Sequence, residues 1–315
     1  MASLTFNLKK LNTRSGNQRR GKMISSQQRK RHLLTSLKSI DVVVLFGVGA
    51  LLLVCSTLVI LEPSLFQRLH REDGCFEYAG CLLLLCCSVL LILQGRRELK
   101  AGLPGRWSVM SAWVLILTGS IFFIGAGEEI SWGQRILGFD TPQTIKEIND
   151  QNEFNVHNMA KGFVDTSLRY SIALASMLGT LFIVIRWDSI CGIRLPSLPV
   201  VQALALSGVY QNSSLIDKPY CMSAAVLVFG LFISLLSRNA PYVGMSVFSL
   251  SVAVVVMILN LKYNEQLNPN STPEVRELIF SFVSAGWALT LVFCRQAPHA
   301  VQSIEPSPVE RAFVS

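Results

Sequence analysis

Charged side chains are scarce in this chain. Asp, Glu, Lys and Arg make up 15% of its 315 residues, where a soluble domain carries about a quarter. The charge that exists also avoids whole blocks of sequence, and those blocks are long enough to cross a bilayer. A sizeable soluble domain is thereby excluded. Acidic residues are missing altogether from residues 1–40, which hold ten basic ones (Lys9, Lys10, Arg14, Arg19, Arg20, Lys22, Arg29, Lys30, Arg31 and Lys38). The net charge of +8 is therefore a +10 tail joined to a remainder of −2. The tail lacks aromatic interleaving and any nucleic-acid-binding pattern, so no nucleic acid is expected as a partner. A basic tail ahead of the first hydrophobic run predicts a cytoplasmic N-terminus and contact with anionic lipid.

Other absences narrow the field further. There is no CxxC pair with metal-site spacing, and no Walker A, Rossmann, HExxH or GxSxG string. Alternating strands of the β-barrel kind are missing, as is any repeat of 20–50 residues. The N-terminus is not read as a cleavable signal, because its basic region is too long and the run behind it is a full span. Five of the eight cysteines (Cys55, Cys81, Cys86, Cys87 and Cys294) lie in or at the ends of hydrophobic stretches, as small apolar residues do. Cys75 and Cys81 fall near one membrane face; two free thiols are expected, and a disulfide is the alternative.

Uncharged runs are what the sequence has in abundance: Val42–Leu61, Tyr78–Gln94, Trp107–Gly127, Tyr170–Ile185, Leu195–Tyr210, Tyr220–Ser237, Ala240–Leu261 and Leu278–Cys294. They predict an all-α fold, a polytopic transmembrane helix bundle of about eight spans. The fifth run is short and carries Pro196, Pro199 and Gln202; if it is re-entrant, seven helices cross. In the eight-span reading 19 of the 28 basic residues lie on the cytoplasmic side, but the seven-span reading hardly alters that bias. Residues 1–40 form a basic tail expected to be disordered. Residues 41–295 form the membrane domain, with an outer loop at 133–167. Residues 296–315, with Pro298, Pro306 and Pro308, read as a disordered C-terminal tail. Trp107, Trp132 and Trp187 stand at span ends, as aromatic-belt residues do, and Asp41 is expected at an interface.

The densest polar information is the string Gly125-Ala-Gly-Glu-Glu-Ile-Ser-Trp-Gly-Gln-Arg135, followed by Gly138-Phe-Asp-Thr-Pro142 and Asn155-Val-His-Asn158. Two adjacent carboxylates at the end of an apolar span are costly unless paired, hydrated or metal-bound. A helix running on through the motif would align Glu128, Ser131, Trp132 and Arg135 on one face, with Glu129 about 100° away. Glu128, Glu129 and His157 supply acid/base groups for hydrolysis or ligands for a divalent metal, the one cofactor the residues suggest. Glu265, Glu274 and Glu277 fall on the same outer side in the eight-span reading. The bland reading gives these groups solvation, dipole-favoured first turns or pairing with Arg135.

The run "GEEISWGQRILGFDTP" with "NEFNVHN" resembles the signature of a group of poorly characterised bacterial polytopic membrane proteins. The resemblance covers about thirty-five residues and implies a bacterial membrane location, with no activity attached. Three functions compete on the residues alone. One is a membrane-embedded hydrolase or transferase acting on a lipid or envelope substrate, and another is a non-catalytic structural or sensory protein. A proton- or cation-coupled transporter ranks below both, because the spans are nearly charge-free and no internal duplication shows.

Overall fold

Hydrocarbon offers no water to backbone groups, so a long apolar run there must satisfy its own N–H and C=O groups as a helix. The computed structural model describes residues 38–70, 74–102, 106–146, 161–210, 217–263 and 271–293, and among these it is an all-α bundle. The long helices are α1 (Ser39–Leu61), α3 (Cys75–Ala101), α4 (Arg106–Glu129), α7 (Lys161–Ile185), α9 (Lys218–Ser237), α10 (Ala240–Lys262) and α11 (Ser271–Phe293). All seven contain a stretch long and apolar enough to cross a membrane, and the chain is an integral membrane protein. Shorter helices are α2 (Pro63–His70), α5 (Gln134–Leu137), α6 (Gln143–Lys146) and α8 (Leu198–Val209). The basic tail and the C-terminal segment lie outside the described residues.

The ambiguous fifth run becomes α8, and its direction is fixed by its neighbours. Early in α8, Val201 lies against Gly179, late in α7; late in α8, Gly208 lies against Ile172, early in α7. Gly208 also meets Ser223 near the start of α9, while Gln202 meets Gly230 further along. The helix α8 is therefore antiparallel to both α7 and α9, which run parallel to each other. Arg169 of α7 pairs with Asp217 at the start of α9, at the same end. The chain thus changes ends at α8 as it does at each long helix. Helix α11 is antiparallel to α1, since Thr290 donates to Asp41 (3.5 Å) and Gly286 meets Val44. The start of α1 and the end of α11 consequently share one end of the bundle.

Twelve residues of α8 span only about 18 Å, short of the ~30 Å hydrocarbon core. A small antiparallel hairpin precedes it, pairing β1 (Ser189–Ile190) with β2 (Ile193–Arg194). Ile193 is buried with Cys87, Leu91, Leu115, Ala288 and Leu291, so protein surrounds this face of the hairpin. Non-helical backbone at that depth is tolerated because the strands bond each other. Pro199 sits in the first turn of α8, where its missing N–H has no helical partner to lose. Helix α8 is the centre of the bundle, touching α1, α7, α9, α10 and α11. It carries Gln202, fully buried, whose Nε2 donates to Ser246 Oγ (2.9 Å); Ser246 in turn bonds Ser234 (2.9 Å).

Asp41 is 2% exposed, because α11 packs across the first turn of α1 and covers it. Cys75 and Cys81 are both free thiols, the first of the two expectations; six residues apart on one helix, they stand about 9 Å apart along its axis, beyond disulfide reach.

The shared end is testable. In a cysteine-free background, an impermeant thiol reagent should treat Lys38→Cys and Phe293→Cys alike and Glu62→Cys oppositely. Opposite labelling of the first pair would mean an odd number of crossings. A pH effect follows from α2, outside the spans. His70 is buried, its Nδ1 bonds the Phe66 carbonyl (2.7 Å), and its ring packs on Phe66. Burial pushes its imidazole below the ordinary 6.5, opposed by the Phe66 bond. The unfolded chain then binds the proton first, so stability is complete above about 6.5 and declines as pH falls from there towards the lowered folded value. His70→Gln should flatten thermal stability over that window; an unchanged slope would contradict the assignment.

Candidate functional site

The motif-bearing helix does not run on. Helix α4 stops at Glu129, and Ser131, Trp132 and Gly133 take φ of 47°, 55° and 74°. Three consecutive left-handed residues reverse the chain, and for Ser and Trp this conformation is strained. The expected face of Glu128, Ser131, Trp132 and Arg135 is therefore replaced by a fold-back. The indole of Trp132 returns over the last turn of α4, where its Nε1 donates to Glu128 Oε1 (2.7 Å) and its ring meets Phe123 edge-on (6.4 Å). Only glycine fits beneath it: a Cβ on Gly127 would stand 2.8–3.0 Å from three indole carbons. Gln134 then donates to Thr141 Oγ1 (2.6 Å), and Gly138, at φ 69°, closes α5. Much of the GEEISWGQRILGFDTP string is thus a local folding instruction. Gly127→Ala should expel the Trp132 ring, cost about 1–3 kcal/mol as an overpacked contact, and raise hydrogen exchange across residues 130–142. Unchanged exchange there would refute the fold-back.

The two motif carboxylates part company. Glu128, half-buried, accepts a hydrogen bond from Trp132. Glu129, half-buried, lies in electrostatic range of Glu277, Glu274 and Glu77. Those groups come from the first two turns of α11 and the first turn of α3, so one end of three helices gathers four carboxylates. Cys81, one turn along α3 from Glu77, is in range of Glu129 and Glu77. Ser281, one turn along α11 from Glu277, is 1% exposed, and its Oγ has no hydrogen-bond partner among the described residues. It faces α3, 3.7 Å from where a Cβ on Gly80 would be.

Beside this cluster, Arg276 Nη2 pairs with Asp165 Oδ1 at 2.9 Å and ties the start of α11 to the start of α7. Arg276 is 3% exposed, and its Nε has no hydrogen-bond partner among the described residues. Arg169 and Asp217 make the second pair at this end. His157 and Glu265 lie outside the described residues, as does the Arg135 side chain. Among the described residues, no three His, Cys, Asp or Glu side chains stand close enough to hold a metal ion.

Sequence reading passed over Glu77, Asp165, Arg169, Asp217, Arg276 and Ser281. The available signal was the sidedness of the spans: every one of them except Ser281 falls within about three turns of a helix start at the end where Glu129 emerges. No family description, curated protein or solved structure matches the chain.

Proposed function

We propose that this integral membrane protein is an acid–base hydrolase or transferase of the bacterial cytoplasmic membrane, acting at the outer face on a lipid or envelope substrate. Glu129 is its proposed acid/base group, and the observation that carries the reading is its position among Glu77, Glu274 and Glu277. Like charges gathered this way share protons and titrate as a set, which is the property an acid–base centre uses. His157 stays in the proposal as a second acid/base group, or as a divalent-metal ligand with Glu128 and Glu129. The resemblance of the motif string supports the bacterial setting. The +10 tail supports a cytoplasmic N-terminus resting on anionic lipid.

The test is product formation. The purified protein, incubated with a total bacterial membrane lipid extract, should yield new lipid species by mass spectrometry, and Glu129→Gln should not. Identical lipid profiles for wild type, variant and a protein-free control would reject an enzyme acting on lipid. A structural or sensory role is the second reading. It draws on the Trp132–Glu128 bond and on the two ion pairs that fasten α7 to α9 and α11.

A further inference from the structure

The segment that follows α4 is built inside out. Ser131 and Thr141 are 3% and 4% exposed, and the half-buried Gln134 gives its amide N–H to the Thr141 hydroxyl. The apolar side chains point the other way: Ile136 is 66% exposed, Leu137 74% and Phe139 40%. A segment bathed in water shows the reverse arrangement, because water disfavours apolar area and solvates hydroxyls well. The patch is also continuous with a surface that faces lipid. Helix α4 exposes Leu117, Ile121, Phe123 and Ile124 along its apolar stretch. Trp132 is the joint. Its ring lies 6.4 Å from that of Phe123, and Phe123 is six residues back from the end of α4, about 9 Å in from that end. The indole therefore lies beside the span rather than beyond it. Trp132 is itself exposed and carries the lipid-facing surface on towards α5. Asp140, Gln143 and Thr144, all exposed, mark the far edge of the patch.

We infer that residues 131–139 are an interfacial anchor, seated in the lipid leaflet at which α4 ends. Ile136, Leu137 and Phe139 enter the boundary between headgroups and acyl chains, where interfacial elements bury their apolar face by about 5–10 Å. The Trp132 indole lies at headgroup level, its ring towards lipid and its N–H on Glu128. The Gln134–Thr141 bond pairs two polar side chains that hydrocarbon would leave unsatisfied. The left-handed turn at Ser131, Trp132 and Gly133 is what brings the segment back onto the membrane instead of out into water. The inference goes beyond the acid–base reading and does not depend on it. Its consequence for the candidate site is positional: the anchor holds the end of α4, and with it Glu129, at headgroup depth.

The test needs no variant. The wild-type full chain is placed in phosphatidylcholine vesicles, one sample with a diazirine on the acyl chains and another with a water-soluble diazirine. After illumination and trypsin, adducts are located by mass spectrometry; cleavage after Arg135 and Lys146 isolates residues 136–146 as one peptide. Lipid adducts should fall on Ile136, Leu137 and Phe139 at a yield like that of Phe123 and Ile124, and several-fold above that of Gln143 and Thr144. Aqueous adducts should show the reverse order. Aqueous labelling of Ile136 and Leu137 equal to that of Thr144 would overturn the inference. So would the lack of both adducts at Ile136 and Leu137 while Phe123 and Ile124 take lipid. That result would assign the patch to a protein cover, either residues 147–160 of this chain or a second copy.

Discussion

Arg276→Met should be the most damaging single substitution in the membrane domain, lowering stability by about 3–5 kcal/mol, the usual consequence of stripping one partner from a buried ion pair. The arginine side chain is 4% exposed and Asp165 26%, so removal leaves a carboxylate with little water to replace the guanidinium. The damage is also topological. The pair is the described polar link between the starts of α7 and α11, and those helices otherwise touch little. The double variant Arg276→Met with Asp165→Asn should recover much of the loss, because no charge is then stranded. Unfolding in graded denaturant, followed by helical circular dichroism, measures both. A single variant as stable as wild type would mean that the pair is solvated and structurally idle.

Glu129→Gln should do the opposite: abolish function while sparing the fold. General acid–base catalysis contributes about 10²–10⁴-fold, so loss of Glu129 should reduce product formation by at least about a hundredfold. The amide keeps the shape of the side chain and cannot ionise beside the three other carboxyl groups, so folded yield and unfolding midpoint should match or exceed wild type. Leu236→Ala, on the exposed face of α9, is the control, and its activity should stay within a few-fold of wild type. A large stability loss in Glu129→Gln with activity intact would favour the structural reading.

The spans were legible because long uncharged runs have one fate in lipid. Their ends were not. Helix α7 begins at Lys161 rather than near Tyr170, and α11 at Ser271 rather than near Leu278, since first turns at an interface carry charge without ceasing to be helical. Basic-residue bias left the crossing of α8 undecided, and the residues of α7 and α9 that its two ends meet give its direction, antiparallel to both. The break at Glu129 had a local signal only in the glycines, since Gly125, Gly127 and Gly133 make the region easy to bend; Ser131 and Trp132 are not residues that favour left-handed backbone, and what holds them there is the indole packed on Gly127. Pairing of the adjacent glutamates was half legible. Their divergence around α4 follows from helical geometry, but the partners of Glu129 lie about fifty residues upstream and about 150 downstream. Single acids so dispersed form no motif, and only the shared sidedness of helix starts connects them.

Glu129 is proposed to exchange protons with Glu77, Glu274 and Glu277, the carboxylates within its electrostatic range. Infrared difference spectroscopy of the carboxyl C=O band across a pH titration, on the protein in bilayers, tests it without knowledge of a substrate. Interacting carboxylates titrate in separated steps rather than one. The wild-type band should therefore rise over a pH span wider than a single group gives, and Glu129→Gln should narrow it. One ordinary carboxylate step, identical in wild type and Glu129→Gln, would contradict the account.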